Sequence, residues 1–259
     1  MRKKHKAFLF GPFFGELSWE FYRFAPYAIY LKKVNPDVQL VVLTRSSRFD
    51  FYGQFADILV PLKPKGDNVS GQEGFKLLDF RDEHYYTIAK YFLEKYRKKF
   101  HIINHIFPEV TGWIYKVKWQ FPRSQMDYGF MPRKRNKEII NDIFGEDENL
   151  VFADNLVFNE DIDGYKVVQS DKFLRSILDI LNDEATYFGC FIELFKKVKF
   201  VVGNLESNLS HLAILLQKPL IFLGNEVSDD CISLLNPFNV PIIKSSTVSE
   251  GVKIYENNF

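Results

Sequence analysis

Residues 198–224 read VKFVVGNLESNLSHLAILLQKPLIFLG. The apolar run Lys199–Val202 has the length of a buried strand and stops at Gly203-Asn204. A polar turn follows, and either Ser207 or Asn208 is a natural N-cap for an apolar helix that ends near Gln217. Pro219–Leu223 is a second apolar run, closed by Gly224. Strand, polar turn, helix and strand in succession build a parallel sheet with helices on its faces. Such sheets bind ligands beyond the carboxyl ends of their strands, so GNLESN (203–208) lies at the ligand-binding edge.

The same alternation runs outward to both ends of the chain. AFLF (7–10) is a strand that exits into GPFFGELSWE (11–20), and Leu17, Phe21, Phe24, Ala28 and Leu31 continue at helical spacing to about Lys33. Further strands are predicted at 38–43, 58–60 and 101–104, with helices at 49–55 and 82–98. Residues 61–80 are polar and Gly-rich and read as a long loop. The series restarts with strands at 128–131, 150–153 and 165–168, helices at 136–144, 172–181 and 186–197, and a last short strand at 242–243. Two halves of one architecture predict two Rossmann-like lobes with parallel sheets facing a cleft, 1–122 and 123–259.

A chain of 259 residues is long enough for each half to bury its own core. Hydrophobic residues at 46% and charged residues at 26% are ordinary for a globular protein, and no apolar run reaches the ~18 residues of a membrane span. The N-terminus is basic and then apolar, but Gly11, Pro12, Gly15 and Glu16 break the apolar stretch, so a strand is expected there rather than a signal peptide. The 27 Phe and 13 Tyr are expected to line the core and a groove. A net charge of +1 argues against bulk-charge binding of nucleic acid. Cys190 and Cys231 have no zinc-ligand spacing and read as reduced thiols in the cytoplasm.

Polar residues at the strand exits are the candidates for chemistry. At the first, Gly15 permits close ligand approach, and Glu16 stands at a helix start. A carboxylate there serves either as a general base or as a partner of the helix dipole. Glu20, one turn on, is a weaker candidate, and Trp19 is expected in the core. At the second exit, Arg45 and Arg48 are read as solvated surface. At the third, PRKR (132–135) is expected as a loop just before a helix, where Arg133 and Arg135 either contact phosphate oxygens or form a plain charged turn. At the fourth, Gly203, Asn204, Glu206, Ser207 and Asn208 surround a helix N-terminus that attracts phosphate. Glu206 is placed to accept hydrogen bonds from sugar or ribose hydroxyls, and His211 is either a phosphate donor or a buried, satisfied histidine. No GxGxxG or GxSxG is present, and Asp229-Asp230 falls on a surface loop rather than at a strand exit.

The stretch VVGNLESNLSHLAILLQKPLIFLG (201–224) resembles the donor-site segment of GT-B glycosyltransferases, especially the heptosyltransferase-like group. In that group a strand leads into Gly-Asn-Asp-Ser-Gly, then His-Leu-Ala, a small-residue helix, Lys-Pro and a strand ending in Gly. His211-Leu212-Ala213 and Lys218-Pro219 match directly. Glu206-Ser207 stands for the Asp-Ser, Asn208 for the Gly, and Leu205 is inserted. Gly15-Glu16 is a loose match to the group's first exit turn, whose acid is implicated in catalysis, and GELSWEF (15–21) looks like phage-encoded glycosyltransferases.

The resemblance implies a compact GT-B-like enzyme that moves a sugar from a nucleotide-sugar to an unknown acceptor, a glycan or a modified nucleic acid. It implies no bound metal and no cofactor beyond the donor substrate. Gly15, Arg133, Arg135, Gly203, Asn204, Glu206, Ser207, Asn208 and His211 would hold the donor, and Glu16 would be the catalytic carboxylate. Two alternatives remain: a non-catalytic nucleotide- or sugar-binding module, and a nucleotide-sugar epimerase or hydrolase on the same scaffold.

Overall fold

The computed structural model describes residues 4–13, 20, 24–45, 48–62, 83–107, 133–154, 160–181, 187–204, 207–224, 236 and 238–259, with only the backbone at 83–86 and 208. The chain divides into two compact units, Met1–Met131 and Pro132–Phe259. The junction expected after residue 122, the strand expected at 128–131 and Cys231 lie outside the described residues.

In the first unit the elements are β1 (Lys6–Phe10), α1 (Ala25–Val34), β2 (Gln39–Arg45), α2 (Phe49–Tyr52), β3 (Ile58–Leu62), α3 (Glu83–Arg97) and β4 (His101–Ile106). The strands form one parallel sheet in the order β3-β2-β1-β4. Both faces are covered, so the inner strands are continuous apolar runs rather than alternating ones. Ala7, Leu9, Val41 and Leu43 pack with Phe92 and Tyr96 of α3 on one face. Phe10 meets Phe24 on the other, with ring centroids 4.0 Å apart. Asp57 closes the amino end: its carboxylate accepts from Leu40 N–H at 2.7 Å and from Lys32 Nζ at 2.7 Å. Within the helix expected over 17–33, the described regular turns begin only at Ala25, with Pro26 in the first turn, where its missing N–H costs nothing.

The second unit contains α4 (Lys134–Phe144), β5 (Leu150–Ala153), β6 (Lys166–Gln169), α5 (Ser170–Leu178), α6 (Tyr187–Lys197), β7 (Val201–Gly203), α7 (Asn208–Leu215), β8 (Leu220–Leu223), β9 (Ile242–Ser245) and α8 (Val248–Asn258). Its sheet is parallel in the order β6-β5-β7-β8-β9. Val151, Ala153, Val202, Ile221 and Ile243 face Val248 and Val252 of α8. Across the sheet Phe152 packs on Phe195 at 4.8 Å, and Phe191 of the same helix packs on Phe173 at 4.9 Å. The aromatic excess thus serves the core here. Cys190 is a free buried thiol. The two parallel α/β units expected from the sequence are both present.

Two expectations are corrected, and one element is added. Lys134 and Arg135 are not in an exit loop but in the first turn of α4. Arg48 is not solvated, being 2% exposed. Finally, residues 248–258, unassigned from the sequence, form α8, capped by Thr247 Oγ1 accepting from Glu250 N–H.

Candidate functional site

The order β6-β5-β7-β8-β9 places β6 on one side of β5 and β7 on the other. Chain progression therefore reverses between β5 and β7, and a crevice opens there at the carboxyl ends. Counted from its own first strand, this is the 2-1-3-4-5 doubly wound order whose switch point binds ligands. Asp154 follows β5 into this position, and Gly203-Asn204 follows β7.

Asp154 is 4% exposed. The Ser207 hydroxyl donates to its Oδ2 at 2.6 Å, and the Ser170 hydroxyl lies 3.5 Å from Oδ1. Ser207 is the N-cap of α7, with extended backbone, and its Oγ accepts from Leu209 N–H at 3.2 Å. One buried carboxylate therefore ties together the starts of α5 and α7. The Ser207 hydroxyl has a single proton, and Asp154 takes it, so this hydroxyl acts as a helix cap. The capacity left for an anion is in the N–H groups of the first turn of α7 and in its dipole.

Gly203 brings strand and helix into close approach. A Cβ there would stand 2.3 Å from Ser210 Oγ, so α7 rests directly on β7. Ser210 is 1% exposed, and its Oγ has no hydrogen-bond partner among the described residues. His211 is also buried, with its backbone N–H on the Ser207 carbonyl at 3.2 Å. Gln169 ends β6 in register with Ala153, and its buried Oε1 has no partner among the described residues.

Of the other residues singled out by sequence, Arg133 occupies the N-cap position of α4, and Arg135 pairs with Glu138 at 3.6 Å one turn on. Asn208 opens α7. Gly15, Glu16, Trp19 and Glu206 lie outside the described residues. Among the described residues, then, the structure unites Gly203, Asn204 and Ser207 at the β7 exit and adds Asp154 and Ser170 to them. Asp154 was missed although the signal was present: it is an acid directly after the apolar run LVFA (150–153).

In the first unit the order β3-β2-β1-β4 puts the switch between β1 and β4. Gly11 leaves β1 with φ +93°, and a Cβ there would stand 2.2 Å from the Leu43 carbonyl oxygen. Its N–H donates to Ile106 O at 2.8 Å, and its carbonyl lies 2.8 Å from His105 Nε2. Beside this exit, Glu20 is buried with Arg48 and Tyr52. Arg48 Nε stands 3.0 Å from Glu20 Oε2, and the Tyr52 hydroxyl donates to Oε1 at 3.0 Å. Burial, then the Glu20 charge and hydrogen bond, push the Tyr52 phenol well above its ordinary range, against the opposing Arg48 charge. Both Glu20 carboxylate oxygens are thus engaged within the protein, by Arg48 and Tyr52.

Among the described residues, no three His, Cys, Asp or Glu side chains gather as a metal-ligand group. No described helix is long and apolar enough to cross a membrane. A surface depression lined by Lys4, His5, Lys6 and residues 34–38 lies at the amino end of β1, opposite the strand-exit edge of its own sheet.

No family model matches the chain, and no curated protein matches it. Solved structures do. Two of E. coli heptosyltransferase WaaC, one with ADP and one with ADP-2-deoxy-2-fluoro heptose, align at 10% and 9% identity. They cover 97% and 98% of this chain and 99% and 100% of theirs, with TM-scores of 0.48 and 0.46. The glycosyl transferase family 9 structure from Veillonella parvula aligns over 99% of this chain and 92% of its own, at 12% identity and a TM-score of 0.52. The chain shares the fold of that glycosyl transferase, two parallel α/β units of the GT-B-like class.

Proposed function

We propose that this protein is a glycosyltransferase that moves a sugar from a nucleotide-sugar donor to an acceptor hydroxyl, without a metal. The observation that carries the reading is the β7–α7 exit. The residues that resemble a donor-site segment stand at the topological switch of a parallel sheet, with the first turn of α7 held in place by Ser207 and Asp154. The shared fold with a glycosyl transferase supports it.

In this reading the leaving diphosphate lies against the N-terminal N–H groups of α7, where backbone dipoles stabilise the charge that develops as the sugar departs. Arg133 and Arg135 add positive charge, Glu206 accepts from sugar or ribose hydroxyls, and His211 backs the helix. Gly15 joins the donor-binding set, and Glu16 is the catalytic carboxylate. We read the protein as a cytoplasmic, heptosyltransferase-like and phage-encoded member of this class on residues 15–21 and 201–224.

A thermal-shift series with ADP, UDP, GDP and CDP tests the donor site directly. One nucleoside diphosphate is expected to raise the melting temperature of the wild type and to do so much less in Glu206→Gln. No shift with any of them refutes the reading.

A further inference from the structure

The amino edge of the first unit's sheet gathers two basic runs from distant parts of the chain. We propose that this edge is an electrostatic docking face for an anionic lipid bilayer, which holds the protein on a membrane surface without a spanning segment. The face is separate from the donor site and does not depend on it.

Charge is unevenly divided along the chain. Met1–Met131 carries 21 Lys and Arg against 13 Asp and Glu, and Pro132–Phe259 carries 13 against 20. A net charge of +1 therefore conceals one basic half and one acidic half. The fold then concentrates the basic part. KHK (4–6) opens β1, and KYRKKFH (95–101) runs from the last turn of α3 into β4. β1 and β4 pair from Lys6 and His101 onward, and His101 N–H donates to His5 O at 2.9 Å. Lys4 Nζ donates to Arg97 O at 2.8 Å. Lys4, Lys6, Lys95, Arg97, Lys98 and Lys99 thus share one edge, all of them exposed.

Helix C-termini attract lysines, but that accounts for little of this cluster. The Arg97 carbonyl is already served by Lys4, and Lys95 and Lys99 stand over the Tyr96 ring at 5.8 and 5.7 Å. Among the described residues none of the six cations is in an ion pair, and the nearby acids Asp37 and Glu94 pair with none of them. In the second unit, by contrast, Lys134, Arg135, Lys166, Arg175 and Lys196 each meet a carboxylate. Like charges gathered without counter-charge repel one another until a partner supplies the anions.

The apolar neighbours select the partner. Tyr91, 68% exposed, lies one turn before Lys95 and two before Lys98 on α3. Val34, 51% exposed, ends α1 and lines the surface depression with Lys4 and Lys6. An anionic bilayer takes both kinds of group: its headgroups neutralise the lysines, while tyrosine and valine enter the interfacial zone. A nucleic-acid duplex offers phosphates but nothing for an exposed valine, and base reading favours arginine, of which the six cations include one.

The test is vesicle co-sedimentation of the full chain. The wild type is expected to bind phosphatidylcholine vesicles that contain about one-third phosphatidylglycerol at about 0.1 M salt, to release them at about 0.5 M, and to ignore pure phosphatidylcholine. Each Lys or Arg near such a surface contributes about a factor of five, so Lys95→Gln/Lys98→Gln/Lys99→Gln should bind about 10²-fold more weakly. Lys137→Gln/Lys172→Gln/Lys253→Gln removes the same charge from exposed positions of the second unit and should bind like the wild type. Tyr91→Ser should bind more weakly with its salt dependence unchanged. On the wild type, acetylation of Lys95, Lys98 and Lys99 should slow when anionic vesicles are added. Wild type that stays in the supernatant with anionic vesicles overturns the proposal, as do equal losses in the two triple variants. Unprotected lysines overturn it too, and that result is read on the wild type even if a variant fails to fold. A DNA duplex that binds more tightly than the vesicles and displaces them, with Tyr91→Ser like the wild type, assigns the face to nucleic acid instead. No nucleotide enters these assays, so their outcome is separate from that of the thermal-shift series on the donor site.

Discussion

Asp154 and Ser207 should behave as one unit, and the geometry sets how large that coupling is. Asp154→Ala removes the acceptor of the Ser207 hydroxyl, a charge-assisted hydrogen bond of 2.6 Å. Bonds of that kind contribute about 1.5–3 kcal/mol. Ser207→Ala removes the same bond together with the cap on Leu209 N–H, and a lost N-cap costs about 1 kcal/mol. Each single variant should therefore weaken the first turn of α7 by about 2–3 kcal/mol. The double variant loses the shared bond only once, so its cost should fall short of the sum by the worth of that bond, about 1.5–3 kcal/mol. Asp154→Asn keeps one acceptor oxygen and should lie closest to the wild type. Hydrogen exchange at the amides of 207–211 reads this locally, without assuming that two units unfold together. A loss of about 2 kcal/mol corresponds to exchange about 30-fold faster. Costs that add within about 0.3–0.5 kcal/mol, or unchanged exchange at Leu209, would refute the reasoning.

Arg48→Met should destabilise the first unit by about 3–5 kcal/mol in urea melts, because it strips the buried Glu20 carboxylate of its cationic partner; adding Glu20→Gln should recover part of that loss. Gly203→Ala should cost about 1–3 kcal/mol and be relieved by Ser210→Ala, since the obstructing atom is a hydroxyl. Gly11→Ala should find no such rescue, since its obstruction is the Leu43 backbone carbonyl and its φ is +93°. His105 has a lowered folded pKa, so its contribution to stability is complete above the unfolded value of about 6.5 and is lost as pH falls through the folded value; melts from pH 8 to 4 should show this slope in the wild type and a shallower one in His105→Gln.

The sheets were legible because each inner strand is a run of apolar residues between turn residues, and burial on both faces leaves no other reading for VQLVVL or LVFA. The start of α7 was legible for a local reason: a cap and its helix are neighbours in sequence. The capping-box pattern TVSE (247–250) is equally local and marks the start of α8. Other features could not be read this way. Arg48 and Glu20 are 28 residues apart, and His105 and Gly11 are 94 apart. An arginine in TRSSR has the composition of surface until the fold supplies a buried carboxylate, and only the β1–β4 pairing brings the imidazole to the exit of β1. Asp154 lies between these cases. Its place after a strand was visible, but its partners come from two other strand exits.

The two switch points use the same device with opposite results. In the second unit a buried carboxylate takes the proton of Ser207, which turns the hydroxyl inward and leaves the N–H groups at the start of α7 as the local capacity for binding. That edge favours negative charge. In the first unit the polar groups at the switch are spent within the protein: Gly11 N–H donates to Ile106 O, the Gly11 carbonyl meets His105 Nε2, and Glu20 holds Arg48 and Tyr52. Among the described residues at the two switches, the local capacity for an anion therefore lies at the start of α7, and a nucleoside diphosphate bound there should slow hydrogen exchange at the amides of 207–211; unchanged exchange at those amides would count against that placement.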